Sequence, residues 1–207
     1  MATPACLRRT DPDVPTTGAA LAFSTKSLRH AGRCGRMKVV LEVLRIEEIA
    51  SVQGIELTER EEDLAGGSMA TLSDRLKGRS DLNFHHPFVV TAEGRAVGFL
   101  MLREQSALPS WATTGAISLH NFRISRHAQG RGFGTAALAL AAIWTAVHRP
   151  ASTTLVLSVN EENESAIRLY GRCGFKCSGL PILGRLGTEI ILSCDVSELL
   201  QNYIADG

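Results

Sequence analysis

Residues 124–135, Ile-Ser-Arg-His-Ala-Gln-Gly-Arg-Gly-Phe-Gly-Thr, are the most informative stretch of the chain. They follow the strand pattern Ile117–Ile124 and lead into the helix pattern Gly134–His148, which ends near Pro150. Three alternate glycines leave the backbone bare, so its N–H groups can approach a ligand closely. The start of the helix adds unpaired N–H groups and the positive end of the helix dipole. The stretch therefore predicts a site for an anion such as a pyrophosphate.

The glycine spacing excludes two well-known nucleotide sites. A dinucleotide-binding fingerprint requires G-x-G-x-x-G, whereas the glycines here are spaced G-x-G-x-G. A P-loop requires Lys and then Ser or Thr after its last glycine, whereas Gly134 is followed by Thr135 and Ala136. A glycine-rich turn by itself is also a common structural feature, so the identity of the ligand depends on the rest of the sequence.

A second stretch, residues 155–175, lies one strand downstream. The pattern Thr154–Val159 predicts a strand, and Glu164–Cys173 predicts a helix that Asn160 or Asn163 caps and Gly174 ends. Elsewhere the patterns predict strands over Lys38–Ile46, Phe175–Ser178 and Thr188–Asp195. They predict helical patches over Glu47–Gln53 and Glu59–Leu76, with a loop at Gly66-Gly67. They also predict a hairpin of Pro87–Thr91 and Ala96–Arg103, joined by Glu93-Gly94-Arg95. Strands and helices mixed in this way indicate one α/β or α+β domain.

The two stretches, in this order, resemble the GCN5-related N-acetyltransferase (GNAT) superfamily. Its phosphate-binding pattern, Gln/Arg-x-x-Gly-x-Gly/Ala, is matched by Gln129, Gly132 and Gly134. Its later pattern, Asn-x-x-Ala-x-x-Leu-Tyr-x-x-x-Gly-Phe, is matched by Asn163, Ala166, Leu169, Tyr170, Gly174 and Phe175. The resemblance covers roughly residues 37–195.

The resemblance implies a single GNAT-type domain over residues 37–207, with a central mixed sheet flanked by helices. The sheet would splay open between the strands that end at Ile124 and Val159, and acetyl-CoA would lie in the opening as cosubstrate. No metal is expected. The amides of residues 129–135 would hold the pyrophosphate. The implied cofactor-binding residues are Phe122, Ile124, Gln129, Gly130, Arg131, Gly132, Phe133, Gly134, Thr135 and Asn163.

The resemblance also implies the reaction, a direct attack of an amine on the thioester carbonyl in a ternary complex. Tyr170 would protonate the coenzyme A thiolate that leaves, an effect worth roughly 10²–10⁴-fold. Tyr170 is also compatible with a purely structural place in the core, because Ala166, Leu169 and Cys173 share its helix face.

The general base is less clearly marked. Some family members place a glutamate at one of two strand positions, which in this chain are Ser118 and Ser158. His120 remains as a candidate, on the same strand face as Ser118 unless a bulge intervenes, and arylalkylamine acetyltransferases use an imidazole near there. A structural histidine and a chain of water molecules are the alternatives.

The acceptor is suggested by residues 120–124, His-Asn-Phe-Arg-Ile, which look most like those of bacterial spermine/spermidine acetyltransferases. Those enzymes typically carry Asp-Arg-Phe near 120–122, so this chain departs at two positions and lacks a carboxylate. Acidic residues that would attract a polyamine, or merely form a solvated helix face, are Glu59, Glu61, Glu62 and Asp63.

Acetylation of a protein N-terminus or lysine is the alternative, because the later pattern also resembles ribosomal-protein alanine acetyltransferases. A non-catalytic acetyl-CoA sensor is a third hypothesis, against which Tyr170 argues.

Composition limits the remaining possibilities. The 207 residues are 44% hydrophobic and 21% charged with a formal net charge of +1, which is typical of a globular protein without bulk attraction to nucleic acid. No apolar run reaches the length of a membrane helix. An odd number of cysteines, five, favours free thiols in a reducing compartment, so we expect a cytoplasmic protein with no nucleic-acid or membrane partner. The sequence leaves a homodimer open.

Residues 1–36 differ from the rest. They contain three prolines and carry a net charge of +4, and they lack sustained apolar periodicity. We expect a disordered N-terminal extension, or a true start at Met37. A transit peptide is the other possibility, although three prolines argue against its amphipathic helix.

Overall fold

The computed structural model describes residues 28–29 and 38–205. Its strands are β1 (Leu28–Arg29), β2 (Lys38–Val43), β3 (His85–Ala92), β4 (Arg95–Arg103), β5 (Ile117–Ile124), β6 (Thr154–Asn160), β7 (Lys176–Cys177), β8 (Ile182–Gly184) and β9 (Gly187–Asp195). Its α-helices are α1 (Glu59–Leu64), α2 (Met69–Leu76), α3 (Phe133–His148), α4 (Glu164–Arg172) and α5 (Val196–Ala205). Short 3-10 helices lie at Ile46–Ser51, Leu82–Phe84, Gln105–Ala107 and Arg126–Ala128.

The strands form one mixed sheet. Neighbours follow the order β1-β2-β3-β4-β5-β6-β9-β7, and β8 pairs with β9 beside β7. The β5–β6 pair is parallel, and the other pairs are antiparallel. The predicted hairpin is confirmed as β3–β4, turned by Glu93 and Gly94, which both have positive φ, as a tight two-residue turn requires. The arrangement confirms the predicted fold class.

The sheet opens between β5 and β6. The two strands pair only where Ile117 faces Leu155 and Ser118 faces Val156, so their later residues diverge. A bulge at Asn121, with φ of 52°, bends β5 within the diverging part. The opening is a cleft of about 920 Å³. The predicted splay of the sheet is therefore confirmed.

Hydrophobic cores cover both faces of the sheet, as β4 makes plain. Leu100 and Leu102 belong to the larger core, which also contains much of α3 together with Leu199 of α5. Their neighbours Phe99 and Met101 point to the opposite face and pack with a smaller core under α2 and residues 46–51. Buried apolar surface thus fixes helices on both faces, and residues of the larger core line the cleft.

Some elements differ from the sequence predictions. The strand predicted over Lys38–Ile46 ends at Val43, and the patch predicted as helical over Glu47–Gln53 is a 3-10 helix. Helix α5 and strand β8 were not predicted. The extension predicted over residues 1–36 lies outside the described residues, except for the short strand β1. Of the helices that the structure describes, none combines the length and the apolar character needed to cross a membrane.

Candidate active site

The glycine-rich stretch leads directly into α3. Gly130 and Gly132 have φ of 71° and 80°, a left-handed conformation that glycine adopts without steric cost, and Gly132 is the N-cap of α3. The first turn of the helix begins at Phe133, where backbone N–H groups have no intrahelical partner. A Cβ on Gly134 would lie 2.9 Å from Leu169 Cδ2, so glycine there also lets α4 approach closely. The predicted anion site therefore has the required backbone geometry.

Most of the predicted cofactor-binding residues line the cleft, namely Phe122, Ile124, Gln129, Gly130, Gly132, Gly134, Thr135 and Asn163. Arg131 and Phe133 do not. The Phe133 side chain is buried in the larger core, and the Arg131 guanidinium lies 5.3 Å from the centroid of the Phe133 ring. Neither side chain lines the cleft, so the contact expected of these two residues is through their backbone N–H groups, which stays a prediction.

Gln129 makes hydrogen bonds within the protein through both its backbone and its side chain. Its backbone N–H donates to the carbonyl of Arg126 at 3.2 Å, and is not free for a phosphate. Its side-chain Nε2 donates to the carbonyl of Ile124 at 3.1 Å and to Glu61 Oε1 at 3.0 Å. Gln129 thus ties the glycine-rich turn to β5 and α1.

Asn163 is the N-cap of α4. Its Oδ1 accepts from the backbone N–H of Ala166 at 3.2 Å and from the Ser165 hydroxyl at 3.1 Å. The cap predicted at Asn160 or Asn163 is therefore Asn163. The carboxamide oxygen is committed to the helix, which leaves the NH₂ group as the part of Asn163 that can serve a ligand in the cleft.

Tyr170 lies on the α4 side of the cleft and is buried. Its ring packs between Phe122 of β5, at 6.3 Å between centroids, and Phe175, at 5.5 Å. Burial, with a smaller contribution from Cys173, raises the pKa of the Tyr170 phenol far above its ordinary value. The phenol therefore keeps its proton throughout the physiological pH range.

His120 lines the same cleft from β5. It pairs with Met101 ahead of the bulge, so it shares a face with Ser118, and its Nε2 lies 2.8 Å from the Ser118 hydroxyl. Burial, then the charge of Arg103 and the proximity of His85, lower the pKa of the imidazole well below its ordinary value. His120 is therefore unprotonated at neutral pH. Because burial favours the neutral form of both side chains, one cleft presents a proton donor in Tyr170 and a proton acceptor in His120.

Two polar residues of β5, Asn121 and Arg123, were not predicted to matter, yet they organise one side of the site. Asn121 Nδ2 donates to the carbonyl of Ala65 at 3.1 Å, and buried Arg123 donates to the same carbonyl at 2.9 Å and to that of Gly67 at 3.0 Å. A Cβ on Gly66 would lie 2.4 Å from Asn121 Nδ2. The paired glycines of this loop were the sequence signal that could have identified the contact.

Helix α1 is attached to both walls of the cleft. Its contacts to the β5 side are the Asn121 and Arg123 bonds to the loop that follows it and the Glu61–Gln129 bond. On the β6 side, Arg60 forms an ion pair with Glu162, and Arg185 donates to the carbonyl of Asp63 at 2.6 Å. Leu57, Glu61 and Leu64 line the cleft, so this helix and its start form part of the site.

A sheet that opens beside a glycine-rich helix start, with a phenol inside the opening, is the arrangement expected of an acyl-CoA-dependent N-acyltransferase. The chain belongs to the acetyltransferase (GNAT) family, because the sequence model of that family matches residues 51–175. The family resemblance is thereby confirmed. The protein is an N-acetyltransferase, and acetyl-CoA is its cosubstrate.

Relatives in sequence carry consistent names. The chain is 26% identical over 156 residues to the uncharacterized N-acetyltransferase YbbJ of Bacillus subtilis, covering 74% of this chain and 95% of the relative. It is 32% identical over 104 residues to a probable spermine N(1)-acetyltransferase of Bacillus subtilis subsp. natto, covering 50% of this chain and 68% of the relative.

Solved structures share the fold at low identity. An uncharacterized protein from Bacillus halodurans superposes with a TM-score of 0.66 at 11% identity, covering 83% of this chain and 93% of its own. The spermidine N-acetyltransferase of Vibrio cholerae, in complex with CoA and spermine, gives a TM-score of 0.59 at 18% identity, covering 78% and 98%. Aminoglycoside acetyltransferase AAC(6')-Ib in complex with coenzyme A gives 0.62 at 14% identity, covering 79% and 98%.

Proposed function

We propose that the protein transfers the acetyl group of acetyl-CoA to a primary amine of a small, polyamine-like molecule, by direct attack in a ternary complex. The observation that carries this proposal is the pair of neutral groups with opposite proton roles in one cleft, the Tyr170 phenol and the His120 imidazole. Forming an amide from an ammonium group requires a base for the nitrogen and an acid for the leaving sulfur, and these two residues supply one of each.

The residues of the cleft fit acetyl-CoA. Gly130 and Gly132 hold left-handed backbone, so no side chain blocks the peptide N–H groups of the turn, and the start of α3 adds a positive dipole end for the pyrophosphate. Acetyl-CoA brings the acetyl thioester, and the protein brings the acid and the base. Side chains of Phe122 and Ile124 form an apolar wall suited to the pantetheine arm.

His120 acts as the base in this proposal. An alkylamine of ordinary pKa near 10.4 is neutral in only about one molecule in a few thousand at pH 7, which costs roughly 4–5 kcal/mol. An unprotonated imidazole in the cleft can accept the proton that the attacking nitrogen loses as the carbon–nitrogen bond forms. Tyr170 gives its proton to the sulfur as the carbon–sulfur bond breaks, which avoids releasing a free thiolate.

The acceptor is assigned from the charge and shape of the cleft. Its acidic lining side chains are Glu61, Glu162, Glu164 and Glu189. The first three are each ion-paired with an arginine, whereas Glu189 has no basic partner within the described part of the chain. Arg172 also lines the cleft without an ion-pair partner among the described residues, so the argument concerns the local contact that Glu189 offers to a second positive charge of the substrate and not the charge of the whole cleft. The attachment of α1 to both walls supports a slim acceptor over a protein segment, and the similar enzyme of the natto strain bears the name of a probable spermine acetyltransferase.

A panel of amines tests the proposal, with thiol release from acetyl-CoA as the measurement. Spermine and spermidine should turn over, a monoamine of similar length should be a poor substrate, and peptides with free N-termini or lysines should be inactive. Turnover of peptides alone would overturn the small-molecule assignment in favour of a protein acceptor. Binding of acetyl-CoA with no turnover on any amine would instead indicate a sensor.

A further inference from the structure

A polar row crosses the sheet beside the cleft. His85 of β3 pairs with Arg103 of β4, and Arg103 pairs with Ser118 of β5, so their three side chains leave the same face of the sheet. His120 follows two residues after Ser118 and shares that face. The row lies among the apolar side chains of Phe99 and Met101, and within it Ser118 and His120 bond to each other, whereas His85 Nε2 and Arg103 Nε are buried without a partner among the described residues.

Two contacts of the Ser118 hydroxyl bear on the tautomer of His120. Ser118 Oγ lies 2.8 Å from His120 Nε2 and 3.4 Å from the backbone carbonyl oxygen of Arg103. The carbonyl can only accept, so the longer contact uses the single hydroxyl hydrogen of Ser118 when it forms. In that arrangement Nε2 of the imidazole carries the hydrogen between Ser118 and His120, and the lone pair is on Nδ1.

We propose that Ser118 is a positioning residue that holds His120 as the Nε2–H tautomer, so that Nδ1 is the atom that takes the proton from the acceptor. This inference rests on the proposed role of His120 as the base. The imidazolium that forms keeps the same two bonds, since Nε2–H still donates to Ser118 and Ser118 still donates to the Arg103 carbonyl. No side chain has to turn between the two protonation states.

The proton balance is complete. The ammonium group of the acceptor loses two protons as it becomes an amide. One forms the Nδ1–H bond of His120 and is then lost to solvent, and the other replaces the proton that Tyr170 gives to the sulfur. The new carbon–nitrogen bond forms as the carbon–sulfur bond breaks.

The surroundings of His120 favour release of the proton. The titratable or charged groups that act on it are Arg103 from β4 and His85 from β3, and the ring of Trp111 lies 6.4 Å away. None of these groups is an anion that would stabilise an imidazolium. The base therefore returns to its neutral form in each cycle.

The tautomer can be measured without turnover. Long-range ¹H–¹⁵N correlation spectra of the whole protein distinguish a protonated from an unprotonated ring nitrogen, and His120→Gln identifies the His120 signals by their loss. We expect a protonated Nε2 and an unprotonated Nδ1. A proton on Nδ1 in the wild type would overturn the proposal.

Variants at Ser118 test the consequence for the reaction. Ser118→Ala should give a mixture of tautomers and lower kcat/KM for the amine about tenfold, with KM for acetyl-CoA unchanged. Ser118→Thr keeps the hydroxyl and should restore both tautomer and rate, and Ser73→Ala, at a buried serine of α2, is the matched control. A wild-type tautomer and rate in Ser118→Ala would overturn the role of Ser118. Full activity of His120→Gln would overturn the base assignment itself, which is a separate result.

Discussion

The two walls of the cleft are built in different ways. On the β6–α4 wall, Asn163 caps a helix and Tyr170 lies two turns further along it, so one short segment carries both residues. On the β5 wall, His120 depends on Ser118 of its own strand and on Arg103 and His85 of two others. Arg123 of the same wall holds a loop more than fifty residues away. The first wall is a local motif, and the second is a product of the assembled sheet.

This difference predicts how substitutions should behave. Changes on the β6–α4 wall should alter the rate with little effect on stability, because the motif does not organise distant segments. Changes on the β5 wall should alter both the rate and the stability of the protein. Four experiments, from the largest expected effect to the smallest, test the contrast.

Tyr170→Phe removes only the phenolic oxygen. We expect kcat to fall about 10²-fold or more, because the leaving thiolate loses its proton donor, while the affinity for acetyl-CoA changes little. Steady-state kinetics and calorimetric titration measure the two quantities. The melting temperature should stay close to that of the wild type, and an unchanged rate would remove Tyr170 from the mechanism.

His120→Gln removes the base on the other wall. We expect kcat to fall about tenfold to a hundredfold, because the amine loses its proton acceptor. The pH profile of the wild type adds a sharper test. His120 works unprotonated, so activity is lost as pH falls through its pKa, which burial places well below 6.5, and Tyr170 works protonated, so its limb lies far above neutral pH. A loss of kcat as pH falls from 9 to 7 would contradict the assignment of His120, and a loss of kcat as pH rises from 7 to 9 would contradict that of Tyr170.

Arg123→Met tests the structural half of the β5 wall. Burial lowers the pKa of this guanidinium to about 10, so it remains charged at neutral pH, and it donates to the carbonyls of Ala65, Gly67 and Asn121. Its removal takes this donor from the Gly67 and Asn121 carbonyls and leaves the Ala65 carbonyl with only the Asn121 side chain, and we expect the free energy of unfolding to fall by about 1–3 kcal/mol. Denaturant unfolding measures the loss. Arg95→Met, at an exposed turn, should change stability by no more than about 0.5 kcal/mol.

Glu189→Gln tests the acceptor. The side chain is at a cleft-lining position on β9 without a basic partner among the described residues, so we expect KM for spermidine to rise about two- to fivefold through loss of one charge contact. The KM of a monoamine should not change. Glu161→Gln, an exposed neighbour outside the cleft, is the control. An equal effect on both amines would contradict recognition of a second positive charge.

The same contrast explains what could be predicted from sequence. The helix over residues 164–172, its cap and its tyrosine follow from local spacing, and so do the β3–β4 hairpin and the glycine-rich turn. The side-chain contacts of Gln129 and Arg131 could not be predicted, because they are made to Glu61 of α1 and to the buried ring of Phe133. Arg123 resembles any charged strand residue until the sheet is assembled.

Helix α5 was missed in the sequence analysis for a different reason. Its start carries a recognisable signal, because Asp195 accepts from the Ser197 backbone N–H at 2.8 Å and Glu198 follows three residues after the aspartate. The signal was hidden because Asp195 is also the last residue of β9, with no glycine or proline to mark a break. Where a strand leads directly into a helix, no turn residue marks the boundary in the sequence.

The contacts that hold helix α1 to the two walls differ in burial, and this difference decides on which side the cleft can widen. On the β5 side, the loop after it is held by bonds from Asn121 and from buried Arg123. On the β6 side, it is held by Arg60–Glu162 and Asp63–Arg185, whose side chains are about half exposed and which dissolved salt therefore weakens. The contacts on the β5 side are thus more buried than those to Glu162 and Arg185. Raising the ionic strength should weaken the Arg60–Glu162 and Asp63–Arg185 contacts before it affects the bonds from Asn121 and Arg123.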